Sequence, residues 1–434
     1  MIFQEVSWIR SNTDKFCPTL RKLALEWYRP FKHVPCFMQG LFKGIKQRFK
    51  KLPVIVQFDD NFEYNTCLEF LSITTKCKVS KEMPLIHGFC ANVNAIVLEQ
   101  LISQKKVKKI WYDNTVKAVL DIASKEVNAS TLWSSNPPYT GKNIVVAVLD
   151  TGIYNHPDLS GRIIAFKDLI NGKTAPYDDN GHGTHVAGDI ASNGSKSNGT
   201  YKGPAPEASL VGVKVLDRFG SGTLSKVIQG IQWCISNKDA LKIKIISMSL
   251  GSTASQPHTD DPVCQAVEKA WDAGIVVCVA AGNEGPDANT ISSPGIDPKV
   301  ITVGAIDDNN TPDISNDEIA YFSSRGPTLE NISKPDIVSP GVNIISLRSP
   351  NSTLDKQNKS SRVGNYYFSL SGTSMATPIC SGVAALLLQK NPNLTPSQVK
   401  KLIMTTAHPI GILPATTQGS GLIDAAKAIE RVSR

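Results

Sequence analysis

Asn143-Ile144-Val145-Val146-Ala147-Val148-Leu149-Asp150-Thr151-Gly152 is six consecutive apolar residues ending in an aspartate, a threonine and a glycine. An apolar run this short, without the two-residue alternation of a half-solvated strand, reads as a strand covered on both faces. Similar runs follow at Leu210 to Val215, Ile243 to Met248, Ile275 to Ala280 and Val300 to Ala305. Between them lie helical stretches such as Leu224 to Asn237 and Pro262 to Ala273. Buried strands alternating with helices predict an α/β fold in three layers, a mainly parallel sheet between helices. In such a sheet the functional residues gather at the carboxyl ends of the strands. Toward the end, Met375 to Gln389 reads as an apolar helix closed by Asn391-Pro392, and Thr395-Pro396-Ser397-Gln398 has capping-box spacing for another.

Upstream the texture differs. Val54 to Phe58, a mixed helical stretch to about Thr74, Leu85 to Val93, Ala95 to Gln104 and Val107 to Trp111 read as strand, helix, strand, helix, strand. That is a small α+β unit. The polar segment Ser124 to Gly141, with Asn136-Pro137-Pro138, reads as a linker. The predicted organisation is a basic N-terminal extension (1–52), a propeptide-like α+β unit (53–130) and a main domain (131–434).

Composition narrows the function classes. With 434 residues, 41% hydrophobic and 19% charged, the chain is globular in character. Its longest apolar run, Ile275 to Ala281, is far below the roughly 20 residues a membrane-spanning helix needs, so no membrane span is predicted. The first residues lack the apolar core of a secretory signal, and the nine cysteines contain no C-x-x-C pair. Reduced thiols in a bacterial cytoplasm are the expectation. The net charge of +8 resides entirely in residues 1–52, which hold eleven Lys/Arg against three Asp/Glu. Trp27-Tyr28-Arg29-Pro30-Phe31-Lys32 interleaves aromatic and basic residues as a nucleic-acid or anionic-surface binder would. A solvated charge run, or a patch docking an acidic face of the same protein, is the commoner cause, and nucleic-acid binding is not expected.

Four clusters carry chemistry. Asp150 ends the first strand of the main domain. His182 lies in Gly181-His182-Gly183-Thr184-His185, where small neighbours allow close packing at a helix start. Asn283 stands in Ala281-Gly282-Asn283-Glu284-Gly285, after another strand. Ser374 opens the apolar helix in Gly372-Thr373-Ser374-Met375-Ala376. Each has an ordinary reading alone, as turn, cap or packed histidine. Two histidines three apart also suggest a metal, but no H-E-x-x-H pattern or nearby cysteine accompanies them. Together they supply a nucleophile, a base, an orienting acid and an oxyanion donor at one sheet edge. The order Asp, His, Ser excludes an α/β-hydrolase, which needs G-x-S-x-G and the order Ser, acid, His.

On Asp150-Thr151-Gly152, His182-Gly183-Thr184-His185 and Gly372-Thr373-Ser374-Met375-Ala376-Thr377-Pro378, the sequence from Gly141 onward resembles the subtilisin-like serine proteases, the subtilases. Its layout, with Pro176 to His182, is similar to the intracellular alkaline serine proteases of bacilli. The resemblance implies a self-processed serine endopeptidase acting on polypeptides through Asp150, His182 and Ser374, with Asn283 in the oxyanion hole. It implies extended substrate pairing with Gly220, Ser221 and Gly222 and with Ser249, Leu250 and Gly251. It further implies a primary pocket walled by Ser249 to Gly251 and by Ala280, Ala281 and Gly282, with Ser292 toward the base and Glu284 at the mouth. Large apolar residues before the scissile bond are expected, with some tolerance of basic ones. Residues 53–130 would act as an intramolecular inhibitor, cut off between about Val116 and Tyr139. No cofactor is required for the chemistry. Structural calcium is left open, with Asp158, Asn193, Asp313 and Asp317 as candidates by position. The polar insertion Asn351 to Asn365 has no assigned counterpart and reads as a mobile loop near the cleft. A silent binding scaffold is disfavoured, since binding alone needs none of the four clusters. An acid peptidase of the sedolisin type would use a carboxylate base in place of His182 and an aspartate in place of Asn283.

Overall fold

The computed structural model describes residues 6–29, 39–59, 61–63, 65–67, 69, 75, 77–83, 87–112 and 120–433. The chain forms two compact units, 1–116 and 117–434.

In the first unit, α1 (Pro18–Glu26) and α2 (Gln39–Phe49) precede β1 (Leu52–Phe58), β2 (Val79–Met83) and β3 (Gly88–Val93); α3 (Ala95–Ile102) and β4 (Val107–Tyr112) follow. The strands form one antiparallel sheet in the order β2-β3-β1-β4. Leu52, Val54, Val56 and Phe58 alternate inward along β1, as the two-residue period of a strand requires. The Asn94 side chain caps α3 by accepting from Val97 N at 3.0 Å, and Leu98, Leu101 and Ile102 pack on the sheet.

Residues 6–29 are not a separate extension, contrary to the expectation for 1–52. Ile9, Phe16, Leu20, Ala24 and Trp27 belong to the same core as the strands, and Cys17 N donates to Ile110 O at 3.1 Å. Trp27 is fully buried and Tyr28 nearly so, which withdraws both rings from stacking on bases. The helix expected up to Thr74 falls largely outside the described residues.

The second unit opens with α4 (Leu120–Glu126). Its parallel sheet contains β5 (Val145–Asp150), β6 (Ile163–Asp168), β7 (Ser209–Lys214), β8 (Ile243–Met248), β9 (Val276–Ala280), β10 (Ile301–Asp307) and β12 (Ile337–Pro340). The two-residue β11 (Glu318–Ile319) adds an antiparallel edge, and the order is β11-β10-β9-β8-β5-β7-β6, with β12 also on β10. After β5 the chain goes to the edge strand β6, returns to β7 beside β5, then crosses to the other side of β5 at β8. The carboxyl end of β5 is therefore a switch point, where such sheets open a crevice. Besides two single-turn helices at Lys238–Leu241 and Ala415–Gln418, the helices are α5 (His182–Ala191), α6 (Leu224–Ser236), α7 (Pro262–Asp272), α8 (Thr353–Gln357), α9 (Thr373–Lys390), α10 (Pro396–Thr406) and α11 (Ala425–Arg431). All of α9 is buried except Ser374, Gln389 and Lys390, as its apolar sequence demands. The capping box of α10 forms as expected: Gln398 N donates to Thr395 Oγ1 at 3.3 Å, and Thr395 N to Gln398 Oε1 at 2.8 Å. Cys234, Cys264, Cys278 and Cys380 are free and buried here, as Cys67 and Cys77 are in the first unit.

Two other expectations are corrected. The stretch 124–141 is not a linker and the division does not fall at 130. Ser124 Oγ donates to Lys202 O at 2.7 Å, Trp133 Nε1 donates to Pro204 O at 3.0 Å, and Val127, Ala129 and Leu132 lie in the second unit's core. Its polar side chains satisfy backbone groups, which composition alone misreads as exposure. The insertion Asn351 to Asn365 is folded: it carries α8, β13 (Ile344–Leu347) precedes it, β14 (Arg362–Val363) closes it, and β15 (Tyr367–Leu370) pairs with both strands.

Candidate active site

Asp150 ends β5, fully buried, and accepts from Thr151 N at 2.7 Å. His182 is the first residue of α5, and its Nδ1 stands 2.8 Å and 3.0 Å from the two Asp150 oxygens. Gly183 permits this approach. A Cβ there would lie 2.2 Å from Gly152 O and 3.0 Å from Asp150 Cβ, so any side chain would push the helix off the strand end.

The loop before α5 is organised by Asp178. Its carboxylate accepts from Thr151 Oγ1 (2.9 Å), Asn180 N (3.0 Å), Gly181 N (2.8 Å), Thr184 N (2.9 Å) and Thr184 Oγ1 (2.6 Å). Lys214 is a second organiser. Its buried ammonium donates to Thr151 O (2.5 Å), Asp179 Oδ1 (2.7 Å) and Leu216 O (2.9 Å), tying the ends of β5 and β7 to the histidine loop. Neither role is legible in the sequence, where Asp178 stands in a polar stretch before a glycine and Lys214 is a lone charge in the apolar run Leu210 to Val215.

Burial disfavours the His182 imidazolium, but the charge and hydrogen bond of Asp150 outweigh it and hold the pKa above the ordinary value. His185 is different: Nδ1 faces Asp189 Oδ2 at 2.9 Å, and Nε2 faces the carbonyls of Ile344 (3.1 Å) and Phe368 (3.0 Å). Both nitrogens are committed to protein acceptors, which leaves neither for a metal.

Ser374 lies in the first turn of α9. Its Oγ donates to Ser249 O at 3.2 Å, and Ser249 Oγ donates back to Ser374 O at 2.7 Å. Asn283 follows β9, and its Oδ1 accepts from Thr373 N (2.9 Å) and Thr373 Oγ1 (3.0 Å). With Oδ1 so occupied, Nδ2 is the end left for an incoming acceptor. A Cβ placed on Gly372 would stand 3.5 Å from Asn283 Nδ2 and 3.6 Å from Ser374 N, so both donors border one small space kept clear by the glycine. Two converging N–H donors at a helix start suit a developing oxyanion.

A cleft of about 500 Å³ runs from His182 along Leu216, Gly220 to Gly222 and Ser249 to Gly251. Phe219 and Leu224, both well exposed, line its far part. Ala280 to Gly282 and Ser292 are not among its lining residues. They form a neighbouring wall, where Ser292 N donates to Ala281 O at 2.8 Å and Ser292 Oγ lies against Gly282. Glu284 is exposed beside it.

The candidate calcium positions do not converge. Asp158 accepts from Ser192 Oγ (3.1 Å), Ser195 Oγ (2.8 Å), Lys196 N (3.0 Å) and Tyr367 OH (2.7 Å). Asn193 Oδ1 accepts from Ser195 N at 3.0 Å. This loop turns hydrogens toward Asp158 where a cation would need lone pairs. Asp313 is exposed, and Asp317 interacts instead with the buried carboxyl of Glu126. Among the described residues no group of three His, Cys, Asp or Glu side chains is placed to hold a metal ion.

A sequence profile of the subtilase family matches residues 141–427. Serine protease AprX of Bacillus subtilis (strain 168) is 49% identical, covering 98% of this chain and 99% of that protein. The thermostable alkaline protease of Halalkalibacterium halodurans is 38% identical over 81% of this chain and 87% of its own length. Subtilisin E of Bacillus subtilis is 36% identical over 81% and 83%. Among solved structures, a cold adapted subtilisin-like serine proteinase superposes with a TM-score of 0.50 at 32% identity, covering 66% of this chain and 88% of that one.

Proposed function

The chain belongs to the subtilase family and is a serine protease, and from that premise we propose how its own residues divide the work. Ser374 Oγ attacks the peptide carbonyl. His182 takes its proton and returns it to the leaving amine, and Asp150 holds the imidazole's tautomer and stabilises its cation. Asn283 Nδ2 and Ser374 N bind the oxyanion. No cofactor takes part, as subtilases need none. The observation that carries this assignment is the convergence at one sheet edge of the Asp150–His182 pair with two donors around Gly372. Since Ser374 Oγ rests on the Ser249 carbonyl, it must swing toward His182 as substrate enters.

Substrate pairs as an added strand with 220–222 and 249–251, which favours broad specificity because main-chain bonds supply the affinity. The first side chain before the scissile bond enters between Ser249 to Gly251 and Ala280 to Gly282. The small residues there favour large apolar occupants, and Glu284 tolerates some basic ones. We further propose that the first unit is an intramolecular inhibitor removed by self-processing near the boundary of the two units. Its compact fold upstream of the protease, and a likeness to AprX that runs through it, support this. The free buried thiols support a reducing compartment, the bacterial cytoplasm, as for an intracellular alkaline protease.

Intact-mass spectrometry of wild type and Ser374→Ala, with and without a fluorophosphonate probe, tests this. Wild type should lose about the mass of residues 1–116 and take one label, on Ser374, while the variant stays whole and unlabelled. Two full-length, unlabelled proteins at neutral to alkaline pH would overturn it.

A further inference from the structure

The insertion Asn351 to Asn365 reaches the site. Thr353 N donates to Asp179 O and Leu354 N to Asn180 O, each at 2.9 Å, so α8 is hydrogen-bonded to the two residues before Gly181-His182. Ser349 Oγ donates to Asp178 O at 2.7 Å, and Ser352 Oγ lies against Gly181. The insertion is fixed from within by Asp355, which is 2% exposed. Arg348 donates Nε and Nη2 to its two oxygens at 2.5 and 3.0 Å, and Arg362 does the same at 2.7 and 3.0 Å. Paired guanidinium forks on one carboxylate fix direction as well as distance. The half-buried side chain of Leu354 thereby borders the cleft with His182, Asn180 and Leu216.

We propose that Leu354 is a specificity-determining residue, forming with Leu216 the apolar slot that takes the second side chain before the scissile bond. The inference rests on the endopeptidase reading. Successive side chains of an extended substrate point to opposite faces. If the first enters the pocket beside Ser249 to Gly251, the second turns back toward the imidazole, where Leu354 stands. A Leu–Leu slot selects medium to large apolar side chains at that position and disfavours charged ones, whose desolvation nothing here repays. The share of that selectivity that belongs to Leu354 comes from the insertion, whose bonds to Asp179 and Asn180 hold it at the cleft.

The test expresses the full chain, counts active sites by fluorophosphonate labelling, and measures kcat/KM on peptides that vary only at the second residue before the cut. Wild type should favour Leu or Val over Gly and Asp there. Leu354→Ala should compress the Leu/Gly ratio about tenfold, the scale of a few lost methylenes in an apolar pocket. Leu354→Met should restore the ratio, and Leu354→Asp should turn preference toward Lys or Arg. A merely structural role would change all peptides alike. Unchanged profiles in both the alanine and aspartate variants, with wild type active, overturn the inference alone. A wild type that takes no label and cuts no peptide overturns the endopeptidase reading, and the inference with it.

Discussion

Ser249 and Ser374 hold each other reciprocally, each hydroxyl donating to the other's main-chain carbonyl, at 2.7 and 3.2 Å. The cause lies four residues on. Pro378, inside α9, has no N–H to give Ser374 O, and Ser249 Oγ supplies the missing donor.

Removing that donor orphans a part-buried carbonyl. Ser249→Ala, measured by urea unfolding in a Ser374→Ala background to prevent self-digestion, should lose about 1–3 kcal/mol. Pro378→Ala restores a helical N–H, so the loss should shrink in the double variant. Equal losses with and without Pro378 would sink the account.

Gly183→Ala places a methyl against the Gly152 carbonyl. The helix start must retreat and carry the imidazole with it. Displacement on the ångström scale costs about 10²-fold in rate, and kcat should fall by that order while fluorophosphonate labelling slows in parallel. An undiminished kcat would show that α5 tolerates the side chain and that the close approach is incidental.

Catalysis needs His182 neutral. Because Asp150 raises its pKa despite burial, the imidazolium persists to higher pH than in a free histidine. The acid limb of kcat/KM on an uncharged peptide should therefore lie above the ordinary value of about 6.5. Asp150→Asn should move that limb down while cutting kcat about 10⁴-fold, the loss typical when the orienting acid of such a triad is neutralised. A limb at or below 6.5 in wild type contradicts the coupling.

Glu126 ends α4 nearly fully buried, with Asp317 beside it, and among the described residues the two carboxyls have no donor other than a proton shared between them. Burial first, then the charge of Asp317, pushes Glu126 up to about 8; burial lifts Asp317 to about 6. The folded pKa exceeds the unfolded one, so the native state binds more protons between them. The stabilising contribution is full below the unfolded pKa and is lost as pH rises through about 8. Glu126→Gln should thus raise Tm at pH 9, by about 2–4 °C for each kcal/mol in a unit of this size, and do little at pH 5. A Tm difference independent of pH would refute the titration.

Much of this was legible in the sequence because the informative residues are local. The run Ile144 to Leu149 is a buried strand wherever it packs, and Asp150, His182, Asn283 and Ser374 each sit at an element end marked by glycines or a helix start. What escaped depends on distant partners. Trp27 and Leu20 look like part of a charged extension until the strands they cover are known. Lys214 becomes an organiser only where Thr151, Asp179 and Leu216 meet around it. The insertion Asn351 to Asn365 reads as polar loop because its order comes from one buried carboxylate and arginines seven residues to either side of it.

The buried, unbridged thiols give the molecule its own chemical gauges of opening. Cys67 and Cys77 are sealed in the first unit, and Cys234, Cys264, Cys278 and Cys380 in the second. Alkylation needs both access and a thiolate; burial denies access to all six, and at Cys77 it also pushes the thiol up to about 11. A thiol reagent therefore tags these six positions only when the unit around them comes apart, whereas the half-buried Cys17 is open to it beforehand. Mass shifts of two separate sets of peptides then time the loss of the N-terminal unit's core and the survival of the protease's core in one reaction.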